Sequence, residues 1–180
     1  MREQGQDDVP AGGASGAPRF AWRDAGASDT ALLQEMLALN NAAVPAVNAL
    51  DLPTLERIVT RSAHCRVVHD AVGLAGFVLC LPHGGDYWSD NYRWFSERYA
   101  EFLYLDRVVV AERLRGQGLG AALYADLHAV ARGRWPCVTL EVNLEPPNPG
   151  SVRFHERLGY ARVGERHYEG GAVIMYARDL

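Results

Sequence analysis

The segment Leu103 to Gly120, LYLDRVVVAERLRGQGLG, constrains the fold more than any other part of the chain. A β-branched apolar run ends at Val110, the bridge Ala111-Glu112-Arg113-Leu114 follows, and Arg115-Gly116-Gln117-Gly118-Leu119-Gly120 leads into helical periodicity. Strand, glycine-rich turn and helix in that order make a phosphate site. Glycines let the backbone turn with its N–H groups inward, and the unpaired amides of the first helical turn add partial positive charge. Arg115 supplies a full charge at the same place.

Two other nucleotide motifs resemble this loop. Gly116-x-Gly118-x-x-Ala121, with Glu141 about 20 residues further on, also fits the dinucleotide fingerprint, so an NAD-dependent oxidoreductase is an alternative. In that fold the strand feeds almost directly into the first glycine, whereas Ala111 to Arg115 intervene here, and the chain is short for a second substrate domain. A mononucleotide loop ends in Gly-Lys-Ser/Thr; this one ends Gly118-Leu119-Gly120, which excludes it.

With 180 residues, 48% of them hydrophobic, the chain can bury a full core as one domain. Residues 1–18, rich in Gly and Pro, read as a mobile tail, and 19–180 as the domain. Asp29 and Asp51 read as caps of helices, the second with Pro53 in its first turn. Cys65–His69 and Leu74–Leu81 read as a hairpin, and Phe102–Val110 as the central strand. Gly118–Arg132 reads as a helix, Cys137–Asn143 as a strand, Asn148-Pro149 as a helix start, and Tyr160–Tyr168 with Ala172–Arg178 as a closing hairpin. Strands at both ends with helices between predict a mixed α/β sheet.

Net charge is −4 without a basic run, which argues against nucleic acid and anionic membranes as partners. No apolar run approaches the ~18 residues of a membrane span and no signal-type segment opens the chain, so a cytoplasmic protein is expected. Cys65, Cys80 and Cys137 sit among apolar residues and read as buried thiols. His64, His69, His83, His128 and His167 lack metal-ligand spacing, so no metal is expected.

Within the strand 137–143, alternation points Thr139, Glu141 and Asn143 one way and Val138, Leu140 and Val142 the other. A carboxylate in a covered strand requires a partner or a cavity: Glu141 is either paired with Arg107 or a catalytic base. Asp106 is a lesser candidate for the base. Strict alternation turns Arg107 away from it, which leaves a structural carboxylate bonded to backbone or a loop. Pro82 to Ala100 is a long connection crowded with aromatics. A short helix from Ser89 or Asp90 would lay Trp94, Phe95 and Tyr99 on the sheet, leaving Tyr87, Trp88 and Tyr92 as candidates for a binding mouth.

Arg115, Gly118 and Gly120 follow the pattern Arg/Gln-x-x-Gly-x-Gly/Ala, and at this point the chain resembles a GCN5-related N-acetyltransferase. Thr139-Leu140-Glu141-Val142-Asn143 resembles that family's next strand. Asn148-x-x-Ser151-x-x-Phe154-His155-x-x-Leu158-Gly159-Tyr160 resembles its closing motif. The resemblance implies a mostly antiparallel central sheet flanked by helices, with a splayed central strand pair. It implies acetyl-CoA as cosubstrate, its diphosphate on Arg115 to Gly120 and its arm along Val108, Val110, Asn148 and Ser151. The activity implied is direct acetyl transfer to a primary amine, small-molecule or peptide, with Glu141 as general base. His155 stands where the family commonly has a tyrosine acting as acid toward the thiolate. It is either that acid or a residue packed beside Ser151. A non-catalytic acyl-CoA-binding sensor is a further alternative, and an oligomer is compatible with everything above.

Overall fold

In the computed structural model, which describes residues 19–180, the chain runs β1 Ala21–Asp24, α1 Thr30–Ala42, α2 Leu52–Arg61, β2 His64–Asp70, β3 Gly73–Pro82, α3 Asp90–Ser96 and β4 Leu103–Val110. A short 3₁₀ turn leads to α4 Leu119–Ala131, followed by β5 Cys137–Glu145, α5 Pro149–Arg157, β6 Ala161–Tyr168 and β7 Gly171–Asp179. The segment 1–18, expected as a tail, lies outside the described residues. Side-chain caps start four of these helices. Asp29 accepts from Leu32 N–H at 3.1 Å, Asp51 from Thr54 N–H at 2.9 Å, Ser89 from Tyr92 N–H at 3.3 Å and Asn148 from Ser151 N–H at 3.1 Å. Each such bond satisfies an amide with no partner inside the helix and contributes about 1 kcal/mol. Helix α4 differs: it begins at Gly118 with no side-chain cap, and its first amides stay open.

The strands form a seven-stranded sheet in the order β1-β2-β3-β4-β5-β7-β6. Every neighbouring pair is antiparallel except β4 and β5. Helices α1, α2 and α3 close one apolar core against the sheet, around Leu33, Met36, Ile58, Phe77 and Phe95. Helix α4 closes the other, around Leu123, Leu127, Val78, Leu103 and Leu140. This is the mixed, mostly antiparallel sheet that the sequence predicts. It is incompatible with the parallel doubly wound sheet of a dinucleotide fold.

Two irregularities in β4 prepare the site. Its parallel pairing with β5 consists of Leu103↔Val138 and Tyr104↔Thr139. Beyond them the strands diverge, giving the splayed pair. On the other edge, Leu105 pairs with Cys80 and Arg107 with Leu79, which leaves Asp106 as an extra residue in a β-bulge. A bulge breaks the alternation of faces, and here Asp106 and Arg107 both turn toward α1.

The expectation that Arg107 points away from Asp106 is therefore corrected, as is its pairing with Glu141. Arg107 Nε donates to Asp106 Oδ2 at 2.6 Å, and its Nη1 donates to Asn40 Oδ1 at 2.8 Å. Tyr87 Oη donates to the other oxygen, Asp106 Oδ1, at 2.5 Å. Fully buried Asn40 in turn donates to Asn48 O at 3.0 Å, so the bulge anchors the α1–α2 connection. The side chains of Arg107 and Asp106 are only 8% and 6% exposed. Removing one member of a buried ion pair strands the other charge, so Arg107→Met should lower stability in urea unfolding by about 3–5 kcal/mol. Replacing both residues with apolar side chains should recover part of that loss.

Candidate active site

Where β4 and β5 part, a cleft of ≈ 790 Å³ passes between them. Tyr124, Asn148, Ser151, Phe154 and His155 line it on the α4/α5 side. Tyr87, Trp88, Asn91, Glu141 and Tyr168 line it on the other, together with the α1–α2 connection Pro45 to Leu50. The β4 edge inside the cleft is a row of unpaired backbone groups. Ala111 N–H bonds Ala75 O on β3 at 2.8 Å, and amides alternate in direction along an antiparallel strand. The N–H groups of Val108 and Val110 therefore face away from β3, toward the gap.

Glu141 stands on β5 at the centre of this cleft, half-buried. Tyr104 Oη reaches both of its oxygens, at 3.0 and 2.8 Å, and the Asn91 side-chain amide is near enough to favour its charged form. Among the described residues no cation pairs with it. Burial pushes its carboxyl up to about 7 against the opposing pull of the Asn91 and Tyr104 hydrogen bonds, and the nearby Asp106 charge adds to the rise. It can thus gain and lose a proton near neutral pH. Asp106, the other carboxylate on this face, is already bonded to Tyr87 and Arg107.

His155 lies on the opposite side of the cleft, 7% exposed. Its Nδ1 is 2.8 Å from Ser151 O. A carbonyl only accepts, so Nδ1 carries the hydrogen. Burial lowers the ring's pKa below its usual value, which keeps the imidazole neutral and makes Nε2 an acceptor. Tyr124 Oη donates to that Nε2 at 2.5 Å. His155 is therefore held behind Tyr124, a residue that sequence reasoning passed over. Tyr104 and Asn91 were also missed. A phenol in an otherwise apolar stripe was the available signal, because a buried Tyr hydroxyl requires a partner.

The loop Arg115 to Gly120 lies beyond the cleft lining, at the end of β4. Gly116 and Gly118 adopt φ of +72° and +87°, which side chains disfavour, although a Cβ at either position would meet nothing within 4 Å. Gln117 Nε2 bonds Arg113 O at 2.8 Å and its Oε1 accepts from Arg19 at 2.5 Å, so its side chain braces the loop. Arg115 is exposed, and Leu119 and Gly120 begin α4, where the open amides lie. A diphosphate fits this donor set: fixed N–H groups, a helix N-terminus and an exposed guanidinium.

At the opposite mouth, Trp88 is 44% exposed with the Arg57 guanidinium 4.6 Å above its ring. Tyr87 lines the cleft, but its hydroxyl is bonded to Asp106. Tyr92, expected at the mouth, is instead 3% exposed. It donates to Pro82 O at 2.7 Å and accepts from Gly85 N–H, because helix α3 turns it down onto Phe102 and Tyr104. Among the described residues, no three His, Cys, Asp or Glu side chains gather as a metal site would require, and no helix is long and apolar enough to cross a membrane.

The arrangement has counterparts among solved structures. NAA60 from Arabidopsis thaliana in complex with acetyl-CoA superposes with a TM-score of 0.69 at 15% identity, covering 89% of this chain and 99% of that one. The NatC complex bound to Gag peptide and CoA gives 0.71 at 12% identity, over 91% and 99%. The ribosomal-protein-S18-alanine N-acetyltransferase of Escherichia coli gives 0.67 at 16%, over 89% and 93%. At these identities the likeness establishes the fold. No curated protein sequence matches the chain. The family model of the Acetyltransferase (GNAT) family, however, matches residues 33–160, from α1 through the glycine-rich loop to the end of α5. On that match, which covers most of the chain, the protein belongs to the GNAT acetyltransferase family.

Proposed function

We propose that the protein is a cytoplasmic N-acetyltransferase whose single domain, residues 19–180, transfers acetyl from acetyl-CoA to a primary amine of a small molecule or peptide by direct attack. The observation that carries this is Glu141, a carboxylate with no cation beside it among the described residues, standing in a through-sheet cleft opposite the free edge of β4. Neighbours bound to acetyl-CoA and to a peptide support the donor and acceptor classes. Three buried free cysteines fit a reducing compartment.

In this scheme Arg115 and the amides of Gly116 to Gly120 hold the diphosphate, while Asn148, Ser151 and the N–H groups of Val108 and Val110 line the path of the arm. A fixed N–H at the thioester oxygen stabilises the charge that develops there. Glu141 takes the proton of the attacking ammonium, directly or through water. The amine nitrogen then bonds the carbonyl carbon, the C–S bond breaks with its electron pair leaving on sulfur, and the second proton of the nitrogen is released to water, leaving a neutral amide. Tyr124 meets that thiolate in this reading, its hydroxyl hydrogen turning from His155 Nε2 to sulfur. His155 orients the phenol, and the thiolate takes its proton from solvent, directly or by way of Tyr124, whose phenol is then reprotonated from water. No acyl-enzyme is needed.

Acetyl-CoA or CoA should raise the melting temperature and NAD should not. Binding only to the folded state adds about 2.7 kcal/mol at 100-fold excess over Kd. Arg115→Ala should weaken that binding and Gly118→Val should weaken it further, since a β-branched residue cannot hold φ of +87°. Absence of any shift at millimolar acetyl-CoA would remove the assignment. Stabilisation without thiol release across a panel of amines would mark a non-catalytic acyl-CoA-binding module instead.

Glu141→Gln should leave CoA binding intact and lower kcat by about 10² to 10⁴. In the parent protein the rate should rise with pH through about 7 as Glu141 ionises. Stability should move the opposite way. The folded state holds the Glu141 proton more tightly than the unfolded chain, so ionisation between about 4.5 and 7 costs stability that the Gln variant keeps. The variant's melting temperature should gain on the parent's as pH rises across that window. An unchanged kcat with a lower melting temperature at every pH would make Glu141 structural.

On the sulfur side, Tyr124→Phe and His155→Phe should each lower kcat about 10-fold to 10²-fold with little change in acetyl-CoA affinity, because a thiol near pKa 8.5 is already a fair leaving group. His155→Tyr should retain more activity than His155→Phe. Equal rates in His155→Phe and the parent would reduce His155 to packing.

A further inference from the structure

Asn91, which lines the cleft with Glu141, is itself held in place. Arg166, on the edge strand β6, donates from Nε to Asn91 Oδ1 at 2.8 Å. A side-chain amide has one oxygen and one NH₂ group, so a guanidinium on the oxygen turns the NH₂ the other way. With its oxygen held by Arg166, Asn91 has its NH₂ group to offer the cleft that all three residues line, and an amide N–H there favours the charged form of Glu141. The approach of α3 to β6 is written into the sequence at Gly164, where a Cβ would come within 2.6 Å of the Trp94 ring. A glycine there lets Trp94 lie on the strand and brings Asn91 within reach of Arg166.

Resting on the role of Glu141 as the base, we propose that Arg166 is a positioning residue: it orients the Asn91 amide and thereby sets how readily Glu141 accepts the acceptor's proton. With Arg166 removed, Asn91 is free to turn its oxygen toward the carboxylate. An oxygen facing a carboxylate disfavours its charged form, so Glu141 should then ionise at higher pH. The other titratable or charged groups around Glu141 are Tyr104 and the Asp106–Arg107 pair on β4, Tyr87 from the β3–α3 connection, Asp90 on α3 and Tyr124 on α4. Its β7 partner, Met175, does not titrate. Arg166 also lies 3.7 Å from Asp90 and over the Tyr168 ring, so its charge could act on Glu141 directly through space; the test must separate that effect from action through Asn91.

The test is a double-mutant cycle on the full chain with CoA bound, using Arg166→Met, Asn91→Leu and the two combined. The Glu141 carboxylate is titrated by infrared difference against Glu141→Gln, and the acid limb of the rate profile is recorded with acetyl-CoA and a reactive amine. Arg166→Met should move both titrations up by about 0.5 to 1 in pH, and in the Asn91→Leu background it should add less than about 0.2. Arg166→Lys, which keeps a donor and the charge, should stay near the parent, while Arg166→Gln, which keeps a donor alone, should fall between parent and Met. A carboxylate titration that does not move in Arg166→Met, or that moves equally in both backgrounds, overturns the proposal. A carboxylate that moves while the acid limb stays fixed supports the positioning and removes Glu141 from the role of base, so failure of the functional reading is separately visible.

Discussion

The structure depends on β4 and β5 separating after two paired positions. Backbone N–H and C=O groups inside a sheet ordinarily have partners, and leaving a row of them open in the middle of a protein costs stability. The cost is tolerated because each strand is secured on its other edge: β4 by antiparallel pairing with β3 along its length, and β5 by pairing with β7 from Cys137 to Glu145. The molecule is thus two half-sheets joined at one end, with the gap lined by unpaired β4 amides on one wall and Glu141 on the other. The bulge at Asp106 begins where the pairing with β5 stops, so the strand leaves its neighbour and changes its pattern of faces at the same place.

That coincidence separates two carboxylates chemically. Asp106 and Glu141 arise from strands that diverge and face the same side of the sheet, and their environments differ. Asp106 receives a guanidinium and a phenol, and serves to tie Asn40 and the α1–α2 connection to the sheet. Glu141 receives a phenol and, among the described residues, no cation, and burial raises its proton affinity into the neutral range. Two carboxyl groups driven apart in this way divide into a structural charge and a group able to exchange protons.

The acetyl-donor side follows the same economy of elements. Helix α4 has an uncapped N-terminus at Gly118, the end assigned to the diphosphate in the proposed reading, and, between one and two turns later, presents Tyr124 to the cleft. Helix α5 offers Asn148 and Ser151 to the cleft, and His155 from behind the phenol. Under that reading one helix relates the anchoring of the cofactor's charged end to the position of its sulfur.

Local chemistry made much of this legible from sequence. The strand–loop–helix at Leu103 to Gly120, the caps at Asp29, Asp51, Ser89 and Asn148, and the mixed sheet order depend on residues near one another in the chain, where periodicity and turn chemistry act directly. Glu141 stood out because a carboxylate in an apolar strand has few explanations. What sequence could not reach was set between distant segments. Alternation turned Arg107 away from Asp106, and only the register with β3 reveals the bulge that brings them together. Tyr92 read as exposed because its loop is rich in aromatics, whereas the docking of α3 turned it inward. Tyr124, Asn91 and Arg166 carry no local mark of function; they meet His155 and Glu141 only because helices α4 and α3 and strand β6 converge on the gap between β4 and β5. The sequence by itself determined which elements form, and it singled out the glycine-rich loop and Glu141 as the groups to propose for a phosphate and a proton. Tertiary structure decided which side chains hold those groups, because hydrogen-bond partners are chosen by proximity in space.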